Sequence, residues 1–154
     1  MEFSGLIKPE TIRVVGHVTS KKRLFHDLAE VAAAVYGIDA SDAMDALQER
    51  ESLGPTGVGH GVALPHARID GLDRVSGVFF RLEKPFEYGS VDKAPVDLVF
   101  ALFAPREAGV EHLKALALVS RTMRDSSVCA KLRANTEPAT LYAILTEARP
   151  SKAA

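Results

Sequence analysis

The chain has 154 residues, 47% of them hydrophobic and 25% charged, which suits one folded domain with its own core and excludes disorder. A formal net charge of −1 with no long basic run argues against nucleic-acid binding by bulk electrostatics. One cysteine, Cys129, precludes an intrachain disulfide, and neither an export leader nor a long apolar run stands out, so a cytoplasmic protein that does not insert into membranes is expected.

Residues 12–15 read as a short strand after a turn at Lys8-Pro9. Ser20 is the expected cap of a helix running to about Tyr36, where Gly37 stops it. Leu24, Leu28, Val31, Ala32 and Val35 supply its buried stripe, while His26 falls on its charged face. Ser41 is the expected cap of a second helix ending near Glu51, with Ala43, Leu47 and Arg50 on one face. Residues 75–82 form a strand candidate that Lys84-Pro85 should break. Residues 96–103 are nearly all apolar, as in a strand buried on both faces. A longer helix is predicted from near Gly109 to Met123, and shorter ones over 126–133 and 138–146, with Cys129 buried as a small hydrophobe. Residues 149–154 carry no packing pattern and are expected to fray. Strands interleaved with helices predict an α/β fold, a single layered domain around one sheet.

The segment 54–68 holds the candidate chemistry. Gly54, Gly57, Gly59 and Gly61 allow close backbone approach, and Val62-Ala63-Leu64 then leads into Pro65 and His66. Proline disfavours helical geometry at Leu64, so His66 is held on an extended, stiff approach. His112 falls in the first turn of the long helix, on one face with Leu116, Val119 and Met123, and so points inward. If 62–64 and 96–103 are parallel neighbours, both histidines lie at carboxyl ends of strands, where open α/β sheets bind ligands.

Two imidazoles in one crevice suit phosphoryl transfer, which asks for a positioned nucleophile and donors for the phosphoryl oxygens. A histidine of ordinary pKa, ~6.5, is roughly three-quarters neutral at pH 7, and a helix N-terminus should push His112 the same way. Arg50 can offer a planar fork of donors, with Thr56 and the loop amides, Gly57 and Gly59 included, as neutral ones. Two nucleotide motifs fail: His60 occupies the lysine position of a Walker A loop, and Val62 stands where a dinucleotide fingerprint needs glycine. No organic cofactor is expected. A metal site from His60, His66 and His112 is disfavoured, because no carboxylate or thiolate sits at a ligand spacing.

The pattern Arg50-Glu51-x-Leu53-Gly54-x-Thr56-Gly57-x-Gly59-x-Gly61-x-Ala63-x-Pro65-His66 resembles the fructose/mannitol-type IIA proteins of the bacterial phosphoenolpyruvate-dependent phosphotransferase system. Pro95-Val96-Asp97-Leu98-Val99-Phe100 and His112-Leu113-x-x-Leu116 resemble that family's second block, and the likeness spans about residues 6–148 as one domain. The resemblance implies a mixed sheet flanked by helices and no metal. It makes His66 the phosphorylated residue, loaded by a histidine phosphocarrier protein, and His112 and Arg50 its active-site companions. Within the family the chain is most similar to the nitrogen-related branch. Those proteins are stand-alone regulators, which implies that phosphorylation state signals nitrogen, carbon or ion status to protein targets the sequence does not name. The alternatives are a sugar-specific IIA subunit serving a separate IIB, and a binding module without chemistry. His60 departs from the family pattern, and solvent exposure is its expected fate.

Overall fold

A computed structural model describes residues 1–148; the expected frayed tail lies outside them. Six strands form one mixed sheet, β1(Ile12–Val15), β2(Gly57–Gly59), β3(Val62–Ala63), β4(His66–Ile69), β5(Ser76–Phe86) and β6(Val96–Pro105). Five α-helices flank it: α1(Lys21–Tyr36), α2(Ala40–Ser52), α3(Gly109–Met123), α4(Ser126–Arg133) and α5(Pro138–Glu147). The sheet order is β1-β5-β6-β3-β2, with β4 also paired to β6. β5 and β6 run antiparallel, whereas β1 is parallel to β5, and both β3 and β4 are parallel to β6.

β6 explains the layering. Val99, Ala101 and Phe103 face the cluster that holds Leu24, Leu28, Ala43 and Leu47 of α1 and α2. Their neighbours Leu98, Phe100, Leu102 and Ala104 face α3, α4 and α5 through Val119, Leu132 and Leu141. Period-two alternation thus feeds two cores, and an unbroken apolar run is what a central strand covered on both faces requires. The expected layered α/β domain is the observed one.

Helix α1 begins and ends where its signals place it: the Ser20 hydroxyl accepts from the Arg23 amide, and Gly37 closes the helix at φ 76°. Three expectations need correction. Asp39, not Ser41, caps α2, its carboxylate accepting from the Asp42 amide at 2.9 Å. Ile38 just before that cap and Ala43 inside the helix are buried in one cluster, which fixes the entry two residues earlier than Ser41 would. β5 does not stop at Lys84-Pro85 but continues to Phe86. Its pairing with β6 lapses between Arg81 and Phe86, so exposed Pro85 removes no ladder donor there, and the Lys84 amide bonds Gly16 instead.

The third correction bears on chemistry. The strand does not end at Leu64: after Pro65 it resumes as β4, and His66 pairs with Leu102 in the same register in which Val62 pairs with Leu98. The Pro65 carbonyl still accepts from the Leu102 amide at 3.0 Å, so the interruption costs no slip. His66 therefore opens a strand level with Leu102 and does not stand at a carboxyl end. β2 covers β3 but does not pair with β4, which leaves the sheet edge beside His66 free of a strand partner.

Candidate active site at the edge of the sheet

On β4, Ala67 and Ile69 are buried against α1 and α2, so His66 and Arg68 share the opposite face. α3 follows β6 after the short stretch 106–108 and carries His112 back over that face. The two rings meet edge to face, with centroids 5.8 Å apart and planes at 69°. They lie in a groove of about 410 Å³ lined by Ala46, Glu49, Arg50 and Leu53 from the end of α2, with Arg68 and Arg106 on the far side.

The His66 ring has a defined orientation. Its Nδ1 lies 2.9 Å from the Leu64 carbonyl, an acceptor, so Nδ1 carries the proton and the lone pair belongs to Nε2. Burial lowers the His66 pKa, the bond to Leu64 works against it, and the Arg50 charge lowers it further. The net direction is down, towards the neutral, nucleophilic ring. His112 is only 6% exposed, and burial again leads in lowering its pKa, followed by the charges of Arg68 and His66. Burial and the two neighbouring charges favour the neutral ring. Its Nε2 is buried and has no hydrogen-bond partner. An unpaired buried polar atom costs about 1–3 kcal/mol, so this nitrogen is suited to a group that binds between the rings.

Arg50 holds the Gly54 carbonyl at 3.0 Å through Nη1, leaving the rest of its guanidinium on the groove. The other expected donors stand elsewhere. Thr56 is 4% exposed and its hydroxyl is spent on the Glu51 carboxylate, with the Tyr88 hydroxyl 2.8 Å away. Gly57 and Gly59 lie in β2, pressed against Ser90 and Asp92; a Cβ on Gly57 would come within 2.2 Å of the Ser90 hydroxyl. Close packing on Ser90 explains glycine at 57, while at 59 a φ of 100° adds to the 3.2 Å approach of the Asp92 carboxylate. His60, at φ 57°, is exposed, does not line the groove, and is pinned through its backbone by Asp92 and Arg133. Among the described residues no group of three potential metal ligands assembles.

Arg68 and Arg106 are site residues that spacing in the sequence does not single out. The only signal is alternation: two residues after His66, Arg68 shares its face once β4 is known to be a strand. Its Nη1 donates to the Arg106 carbonyl at 3.1 Å, and Arg106 pairs with Asp70 at 2.7 Å. Three guanidinium groups and one carboxylate, that of Glu49, therefore rim two neutral imidazoles. The arrangement can accept a dianionic group on one ring nitrogen.

Comparison with known proteins gives a consistent picture. Residues 5–148 match the family model described as phosphoenolpyruvate-dependent sugar phosphotransferase system, EIIA 2. A nitrogen regulatory protein of Bradyrhizobium diazoefficiens is 42% identical over 145 residues, covering 94% of this chain and 95% of that one. A fructose-specific EIIA component of Haloferax volcanii is 35% identical over 147 residues, covering 95% and 96%. The crystal structure of nitrogen regulatory protein IIA-Ntr from Neisseria meningitidis superposes with a TM-score of 0.86 at 32% identity, covering 94% and 99%.

Proposed function

Since this chain belongs to the EIIA 2 family of the phosphoenolpyruvate-dependent phosphotransferase system, we propose that it is a regulator that carries a phosphoryl group on Nε2 of His66. The observation that carries the reading is the Leu64–His66 hydrogen bond, which fixes the tautomer and leaves the Nε2 lone pair free beside an unpartnered His112 nitrogen.

The donor in this reading is a phosphohistidine on a small phosphocarrier protein. The Nε2 lone pair forms the new N–P bond while the donor's N–P bond breaks and its electron pair returns to the donor ring. His66 becomes a phosphoimidazolium whose Nδ1–H stays on the Leu64 carbonyl, so no proton need leave during transfer. The equatorial oxygens then meet Arg50, Arg68 and the His112 nitrogen, and such preorganised donors supply most of what this chemistry asks of a protein. Exposed Leu53 lines the groove, and exposed Val110 and Leu113 stand on either side of His112 in the chain near the start of α3, so a docking protein has apolar surface to contact there.

Phosphorylation adds roughly −1.5 to −2 charges to a cationic groove, which is enough to exchange one set of partners for another. The regulatory reading rests on the 42%-identical relative named a nitrogen regulatory protein. The fructose-specific relative supports a second reading, a subunit that hands phosphate to a IIB cysteine. One assay separates them. With phosphoenolpyruvate, enzyme I and the phosphocarrier, the chain should acquire acid-labile, base-stable phosphate and keep it when a purified IIB is added. Rapid loss to IIB would assign it to sugar uptake, and no labelling at all would end both readings.

A further inference from the structure

We infer that Glu51, Thr56, Tyr88 and Lys21 form a positioning clamp that sets the tautomer and aim of His66, an inference that rests on the phosphoryl-acceptor reading. The Glu51 carboxylate accepts from both the amide and the hydroxyl of Thr56, the amide at 3.1 Å through Oε2. Lys21, the first residue of α1, donates to the same carboxylate at 2.9 Å, and its ammonium sits 4.2 Å above the Tyr88 ring. The Tyr88 hydroxyl closes the cluster on Thr56 at 2.8 Å. One backbone step links this cluster to the ring. The Thr56 carbonyl accepts from the Leu64 amide at 2.9 Å, and the Leu64 carbonyl accepts from His66 Nδ1 at 2.9 Å.

Leu64 and Pro65 lie where the strand is interrupted between β3 and β4, so the Leu64 carbonyl that orients the ring falls outside both ladder registers with β6. The segment is held on the β6 side by the Pro65 carbonyl, which takes the Leu102 amide, and on the other side through Thr56, whose carbonyl takes the Leu64 amide. The Lys21–Glu51 pair is only part-buried, with the lysine side chain 30% exposed, so it adds little as mere glue. Burial opposes the Glu51 charge, yet the bonds from Thr56 and Lys21 outweigh it and hold the carboxyl below its ordinary pKa. The clamp is thus charged and closed at neutral pH. None of its four residues lines the groove that holds both imidazoles. They act on the reaction through His66.

Thr56→Val keeps the side chain's shape and removes the donor. In unphosphorylated protein, the ¹⁵N shifts of His66 should change from the wild-type pattern, protonated at Nδ1, to a mixture of tautomers. In the transfer assay kcat should fall about tenfold or more, as a misaimed nucleophile does, with the KM for the phosphocarrier within about twofold of wild type because the docking surface is untouched. Thr56→Ser should restore both. An unchanged His66 tautomer in Thr56→Val, whether or not its melting temperature drops, would overturn the clamp and leave a structural cluster. If Thr56→Val does not fold, Glu51→Gln is measured in its place: mixed tautomers support the clamp and an unchanged tautomer overturns it. The tautomer measurement needs no phosphate donor. Failure of the acceptor reading would appear separately, as wild-type protein that takes up no phosphate.

Discussion

His66→Ala takes up no phosphate while folding like the wild type. The ring is half-buried at the start of an edge strand, and Ala67, Ile69 and the β6 ladder hold that strand without it. No other histidine can stand in. His112 offers a buried nitrogen on a helix, His60 faces solvent away from the groove, exposed His17 precedes α1, and His26 lies on α1 against Asp27 and Glu30, outside the groove. His66 should also impose a pH profile. Its pKa is lowered below the ordinary 6.5, chiefly by burial, and the attacking form is the unprotonated one. Uptake by wild type should therefore be flat through neutrality and decline in acid, with a midpoint under 6.5. The same shift has a stability sign. A histidine with depressed folded pKa leaves the unfolded state holding more protons, so stability is complete above about 6.5 and erodes as pH falls from there through the folded value. His112 adds to the erosion in the same direction. A midpoint above 6.5, or phosphate retained by His66→Ala, would contradict the assignment.

His112→Ala is expected to slow uptake by about 10²–10³-fold without abolishing it, the usual consequence of losing one preorganised donor. The reason is the buried, unpartnered Nε2 on a ring whose centroid is 5.8 Å from that of His66. The cost of burying that nitrogen is offset only when an oxygen arrives between the rings. His112→Gln, which keeps an N–H at similar reach, should recover part of the rate. Quench-flow measurement of the first turnover reads this directly. A rate unchanged in His112→Ala would reduce the residue to packing, and complete loss would mean that it does more than donate.

Much of the fold and site is legible in the sequence, for identifiable reasons. α1 is delimited by Ser20 and Gly37 because a cap and a left-handed stop are local chemistry, independent of the rest of the fold. The inward face of α3 follows from helical spacing, and with it the burial of His112. The pairing of His66 with His112 rests on a conditional, that 62–64 run parallel to 96–103, and β3 and β6 meet that condition. What escapes is set by partners far away in the chain. Thr56 looks like a free hydroxyl in a glycine-rich loop until Tyr88 closes on it across 32 positions. Gly57 looks like a phosphate cradle until Ser90 is found where its Cβ would be. Arg68 is hidden because Pro65 masks the continuation of the strand, and without β4 there is no alternation to put it beside His66. Ser41 outranks Asp39 as a cap in the sequence because the burial of Ile38 is a tertiary fact.

The central claim concerns one nitrogen atom. Histidine-¹⁵N-labelled protein, phosphorylated and observed by ³¹P–¹⁵N correlation, should show the phosphorus bonded to Nε2 of His66, with Nδ1 still protonated towards the Leu64 carbonyl. Phosphorus on Nδ1 of His66, or on His112, would contradict it.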